Sequence, residues 1–405
     1  MNKYFRRAIN PVKFFISDSR SVGVLLIFCT VLSLILSNTA NGYSYRSVWN
    51  SELHYSFPLT LPHSVIKWIN DFLMSFFFLL AGMEIKRELL SGELASFKKA
   101  VLPFGAALGG MVVPALIFLS FNLKSGFAHG WGIPTATDIA FSLGIASLFG
   151  NRVAPGLKIF LMALAIIDDL GAIIVIALFY GGHIQWLYLL MAMVTYGLLW
   201  LCNVKNLKPG VVQFCLSFVL WYMMLNAGIE GSITGVLVAF AMPVTALAKI
   251  ETIIHKPVNF IILPLFALAN TAILIPSDIL GAFKSSISVG IIAGLVLGKP
   301  LGIFLTSKIL VALKVAHLPN LANWKQFLGM GTLAGIGFTM SIFTTTLAFH
   351  DEVHRDIAKI SILISLVLSL AISWLYFYII SPEIITIKRQ EKRRESVISS
   401  AIAIS

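Results

Sequence analysis

Four charged side chains sit where charge is expensive. Asp168 and Asp169 are adjacent in AIIDDLGAI, Asp138 lies in IPTATDIAF, and Lys299 follows Gly298 in LGKPLG. Each falls inside an apolar run long enough to cross a bilayer, where ionisable side chains are costly and mark ion or proton pathways. Neighbouring helical residues point about 100° apart, so the two carboxylates need not touch but can flank one cavity. Two acids held together in low dielectric cannot both ionise freely, whereas a bound cation favours the ionised form. One site can then hold either a cation or protons, which is the physical requirement for exchange. The depth of Lys299 and the following Pro300 argue against snorkelling to an interface. Its ammonium is expected to pair with an aspartate, and a cation that takes this partner away helps release the lysine proton.

The elements that must hold these residues are membrane spans. Of 405 residues, 58% are hydrophobic and 12% charged, with a mean hydropathy of +0.89. Soluble domains carry roughly 25% charge, so lipid must solvate much of this chain. Runs of the required ~20 apolar residues fall near 22–38, 65–84, 100–120, 129–149, 157–180, 185–201, 211–225, 230–248, 257–275, 286–307, 327–349 and 357–380, which makes 12 candidates. The net charge of +12 lies in short blocks between these runs and forms no continuous surface for nucleic acid. One side holds Lys86, Arg87, Lys98, Lys99, Arg152, Lys158, Lys205, Lys208, Lys249, Lys256, Lys308, Lys314, Lys325 and both basic tails. The other keeps Arg46, Lys67, Lys124, Lys284, Arg355 and Lys359, leaving Lys299 alone unplaced. This asymmetry predicts an even span count with both termini cytoplasmic. The basic N-terminus precedes a retained first span and not a cleaved signal peptide. Cys29, Cys202 and Cys215 form no disulfide framework.

Two of the spans read as broken. Gly132 and Pro134 weaken the turn before Asp138, and Gly335 and Gly337 interrupt LAGIGFTMSIF. Glycines that merely allow close packing explain Gly105, Gly109 and Gly110 in the third span. In the eleventh span the pairing with the fourth favours a break. A break at membrane depth is tolerated only beside protein or water, and it exposes a positive helix N-terminus and a negative C-terminus. Asp138 suits the first and Lys299 the second. The expected fold class is an all-α polytopic membrane protein of about 12 transmembrane helices; if spans 3–5 repeat as 10–12 as inverted repeats, the two interrupted helices sit in corresponding places and cross at mid-membrane. Interrupted spans in corresponding halves mark the binding site of secondary transporters, including the family named next.

From GMEIKREL through PTATDIAFSLG, KIFLMALAIIDDLGAI, LPLFALAN and GKPLG to GIGFTMSIF, the chain resembles the NhaA family of sodium/proton antiporters. The resemblance implies that Asp168, Asp169 and Thr137 handle the ion and the protons. Asp169 would be the more direct ligand and Asp168 the partner of Lys299. Asp138 and Lys299 would compensate charge at the broken helices. It further implies electrogenic exchange of cytoplasmic Na+ or Li+ for external protons, two protons per cation, in a bacterial inner membrane. The transported ions would be the cargo, with no cofactor and no enzymatic activity. Residues 1–385 would form one transporter domain in the lipid bilayer, with core repeats near 100–180 and 286–380 and an interface panel near 22–84 and 185–275. A segment near 41–62, either an outer hairpin or an aromatic interfacial loop, would contribute to a homodimer, and 386–405 would be a basic cytoplasmic tail.

Glu84, Arg87 and Glu88, with Glu251 and His255, match positions the family uses to respond to pH. Both Glu84/Glu88 and Glu251/His255 are spaced i,i+4, and ordinary juxtamembrane charge is the other reading. The best-known members have a histidine where this chain has Glu230, and none of the 8 histidines lies at mid-depth. Proton carriage by a central imidazole is therefore not expected, and the pH profile should be shifted. An intramembrane aspartyl protease needs its acids on different helices, which a contiguous pair cannot supply. A sodium-coupled solute symporter of similar broken-helix fold is the main rival, but the small-residue, acidic break repels organic anions. A channel must release ions fast, which tight acidic ligands hinder.

Overall fold

The computed structural model describes residues 20–54, 60–205, 207, 210–276, 278–319 and 322–380. Both basic tails, including 386–405, lie outside them. The principal helices are α1 Arg20–Ser37, α2 Gly42–Asn50, α3 Val65–Ser91, α4 Phe97–Asn122, α5 Ile139–Leu148, α6 Pro155–Phe179 and α7 Trp186–Val204. They continue with α8 Val211–Asn226, α9 Gly231–Ala241, α10 Val244–Asn270, α11 Ser286–Ala312, α12 Trp324–Ala334, α13 Thr339–Ala348 and α14 Glu352–Ile380. Among the described residues, 7 helices are long and apolar enough to cross a membrane, or up to 9 if the bent pairs α1/α2 and α12/α13 each count once. The expected 12 are not reached on those terms, because 129–149 is broken and α8 and α9 are short.

Depth of burial sorts these helices. α6, which carries the aspartate pair, is the most buried of the long spans and α7 the least. α4 packs against α6 and, closely, against α11: a side chain on Gly302 of α11 would overlap the Gly109 carbonyl of α4, so both backbones need glycine there. Two π-turns widen the helices just before prolines. Val258–Ile262 precedes Pro264, and Gly294–Gly298 precedes Pro300. A proline lacks an N–H and crowds the preceding turn, so the backbone relaxes there and Lys299 emerges at the end of the second π-turn.

Three expectations are corrected. The segment 41–62 is not a hairpin: Gly42–Asn50 is helical, followed by a single antiparallel bridge between Glu52 and Ser64, and 55–59 lie outside the described residues. Its aromatics follow a helical period, with Tyr45 and Trp49 meeting edge to face at 5.9 Å. Lys86 is no loop charge. It is buried, and its ammonium donates to the carbonyls of Phe240 at 2.8 Å and Met242 at 2.5 Å, at the C-terminal end of α9. That end carries negative partial charge, which stabilises the cation without a carboxylate. Lys359 is likewise buried, in the field of Asp356 one turn earlier.

Candidate functional site

Two interrupted segments cross beside α6. In one, a 3-10 stretch Ala128–Thr135 gives way to extended backbone at Ala136 and Asp138 before α5 begins. In the other, α12 and α13 meet at 49° across residues 335–338. The backbones approach so closely that a Cβ on Gly337 would lie 2.6 Å from the Ala136 carbonyl oxygen. Orphan carbonyls at the two breaks are satisfied by side chains of the opposite segment. Ser341 Oγ donates to Ile133 O and Ser142 Oγ to Leu333 O, each at 2.8 Å. The Asp138 N–H donates to Ile336 O at 2.8 Å, and the Lys299 ammonium donates to Thr135 O.

The Asp138 carboxylate serves both helix N-termini. Its Oδ1 accepts the Phe141 N–H of α5 at 3.2 Å, and its Oδ2 accepts the Thr339 hydroxyl at 2.7 Å and N–H at 3.2 Å at the start of α13. An acidic N-cap takes donors that have no helical partner and sits in the favourable end of the helix dipole. Here one side chain does so twice.

The adjacent aspartates have different surroundings. Asp168 Oδ2 lies 2.5 Å from Lys299 Nζ, and both side chains are 0% exposed. The Thr137 hydroxyl stands 2.5 Å from the same oxygen and 2.9 Å from Ala334 O, so its single proton serves one acceptor at a time. Oδ1 of Asp168 and Oδ1 of Asp169 are buried and have no hydrogen-bond partner among the described residues. Asp169 lines a cavity of about 340 Å³, whereas Asp168 does not.

That cavity is a funnel. Thr137, Asp138, Asp169 and Thr339 form its floor, and Glu84, Arg87, Glu251 and His255 lie toward its rim. Arg87 bonds Glu251 at 2.6 Å and stands 4.0 Å from Glu84. Glu88 is the exception among the expected rim residues. Its carboxylate turns away to accept the Glu93 N–H at 3.0 Å, capping the turn after α3. Glu230 lies away from the funnel, its Oε1 3.5 Å from Ser232 Oγ. A second cavity of about 300 Å³, walled by Phe72, Phe214 and Trp221, is lined by no charged residue among the described residues.

Sequence reasoning missed Thr339, Ser142 and Ser341. Thr339 stands at the first helical position of α13 and donates its hydroxyl to Asp138, a role visible only from the crossing. Ser142 and Ser341 needed the crossing partner to acquire meaning.

The Na+/H+ antiporter 1 family model matches residues 13–377. A protein of Flavobacterium psychrophilum described as Na(+)/H(+) antiporter NhaA is 47% identical over 87% of this chain and 92% of its own length. One of Cytophaga hutchinsonii with the same description is 45% identical over 90% and 94% respectively. The solved sodium proton antiporter MjNhaP1 of Methanocaldococcus jannaschii at pH 8 covers 92% of this chain and 98% of its own, at 15% identity and a TM-score of 0.49.

Proposed function

The chain belongs to the Na+/H+ antiporter 1 family and exchanges sodium for protons across a membrane, and on that premise we propose how its residues carry the exchange. Asp169 is the cargo ligand that the funnel reaches first. It holds a proton or a cation, but not both. Asp168 and Lys299 form the reserve charge: a cation drawn between the two aspartates competes with the ammonium for Asp168 and frees a lysine proton. Thr137 offers its hydroxyl oxygen to that cation while its proton rests on Ala334 O. Reprotonation of Asp169 and Lys299 from the other side then expels the cation.

The observation that carries this reading is the split of the pair, with Asp169 facing the funnel and Asp168 held at 2.5 Å by a fully buried Lys299. Two protons against one cation make the cycle electrogenic, worth about 2.3 kcal/mol per 100 mV for the one net charge. Lithium is carried by the same oxygens. The funnel faces the cytoplasm of a bacterial cell with both termini on that side, supported by the Lys/Arg asymmetry of the loops. Counting the broken 128–148 segment, α8 and α9 as crossings brings nine spans to twelve. The reciprocal Ser142 and Ser341 bonds support inverted repeats, with a core near 100–180 and 286–380 and a panel near 22–84 and 185–275 that forms a homodimer. The rim charges Glu84, Arg87, Glu251 and His255 regulate access with pH.

The test is sodium-driven collapse of a respiration-generated pH gradient in everted membrane vesicles, with lithium and potassium alongside. Collapse by wild type and none by Asp169→Asn at equal protein level is expected. Retained exchange in Asp169→Asn would sink the assignment of the ligand.

A further inference from the structure

The walls of the funnel are apolar between rim and floor. Phe77 and Leu80 descend on α3, and Ile139, Ala140 and Leu143 line the α5 side. Among the described residues one polar side chain interrupts this throat, Asn259. It stands in a column on α10 whose members, Glu251, His255, Asn259 and Leu263, are spaced four apart and all face the cavity. A spacing of four overshoots an α-helical turn of 3.6 residues, so such a column should drift by about 40° per step. The π-turn at Val258–Ile262 takes up more residues per turn and keeps Leu263 in line with Asn259. At a rise of about 1.5 Å per residue, Asn259 lies roughly 12 Å along the helix from Glu251.

Its amide has two ends with different surroundings. Nδ2 lies 3.1 Å from His255 Nε2 and 3.4 Å from Nδ1. Oδ1 accepts no hydrogen bond from a described residue. A cation passing an apolar throat must give up water, and a small hard cation takes oxygen ligands in its place. A neutral carbonyl is strong enough to replace one water and too weak to trap the ion, which transit requires.

We propose that Asn259 is a transit ligand for the transported alkali cation, its amide oxygen replacing a water of hydration between the rim acids and Asp169. This rests on the exchange reading above. The test is the sodium and lithium concentrations giving half-maximal gradient collapse in everted vesicles. It compares wild type, Asn259→Leu and Asn259→Ser, with protein level and thermal midpoint in detergent recorded. Asn259→Leu should raise the half-maximal sodium concentration by about tenfold, the equivalent of ~1.4 kcal/mol, and by more than it lowers the maximal rate. Lithium holds its water more tightly and should rise by the larger factor, while Asn259→Ser, which keeps an oxygen, falls between. If Asn259→Leu fails to accumulate, Asn259→Ala takes its place with the same expectation. Unchanged half-maximal concentrations, or equal factors for both ions, would overturn the proposal. Absence of sodium-driven collapse in wild type would instead overturn the exchange reading itself.

Discussion

Lys299 Nζ and Asp168 Oδ2 lie 2.5 Å apart with both side chains fully buried, and the next residue in the chain, Asp169, opens onto a funnel. A helix turns successive side chains by about 100°, and that rotation alone gives two identical residues different partners. One is tied to the protein's own cation, the other is open to a visiting one.

Breaking this ion pair from one side should be costly. Lys299→Met leaves a buried carboxylate unpaired and is expected to destabilise by about 3–5 kcal/mol, whereas Lys299→Met with Asp168→Asn removes both charges and recovers much of that. Thermal midpoints in detergent for the singles and the double decide it. A double variant no more stable than Lys299→Met would show that the pair does not carry its stability this way.

Asp138 caps two helices with one carboxylate. Asp138→Ala should therefore lose more than a single cap, roughly 1–4 kcal/mol from two caps at about 0.5–2 kcal/mol each. Asp138→Asn keeps one carbonyl acceptor and should lose less. Equal thermal midpoints for the two variants would contradict the double-cap geometry.

At the rim, Arg87 is 43% exposed and Glu251 17%. Their pair contributes little stability, under about 1 kcal/mol, and acts through the field on arriving cations. Arg87→Gln should speed exchange at low sodium and low ionic strength, and Glu251→Gln should slow it. Both effects should shrink when an inert salt shortens the Debye length to about 10 Å or less. Rates measured in vesicles at two choline chloride concentrations test the sign and the screening together.

Gly337 passes 2.6 Å, Cβ to oxygen, from Ala136 O were it to carry a side chain. Gly337→Ala is expected to cost about 1–3 kcal/mol through overpacking and to lower exchange by displacing Ser341 or the Asp138 segment. Gly144→Ala, which meets nothing within 4 Å, is the matched control for stability. Similar thermal midpoints for the two variants would remove the close crossing as a constraint.

The legible part of this protein followed from local costs. Intramembrane Asp138, Asp168, Asp169 and Lys299 stand out against 58% hydrophobic residues because lipid tolerates few such groups. The glycines and prolines around residues 132–137 and 335–337 mark weak turns for the same local reason. Lys86 and Lys359 are expected among the charges flanking the spans and are found buried, because a lysine beside a span end can lie in water or fold back onto carbonyls and acids, and only the neighbouring helix decides. The segment from Gly42 to Asn50 was open between hairpin and loop and proved helical, since Tyr45 and Trp49 pack at helical spacing while Tyr45 reaches Ser33 at 3.0 Å.

What the sequence determined by itself is the solvent, the helical class and the short list of charges that need a reason to be in lipid, since each is set by transfer cost residue by residue. Tertiary structure alone decided which oxygen faces which partner. Asp168 found Lys299 from 131 positions away, Asp138 found Thr339, Ser142 and Ser341 each found a carbonyl of the opposite segment, and Asn259 came to line the same cavity as Asp169. Those contacts join helices remote in the chain, and no local pattern of residue types encodes the rotation of one helix against another.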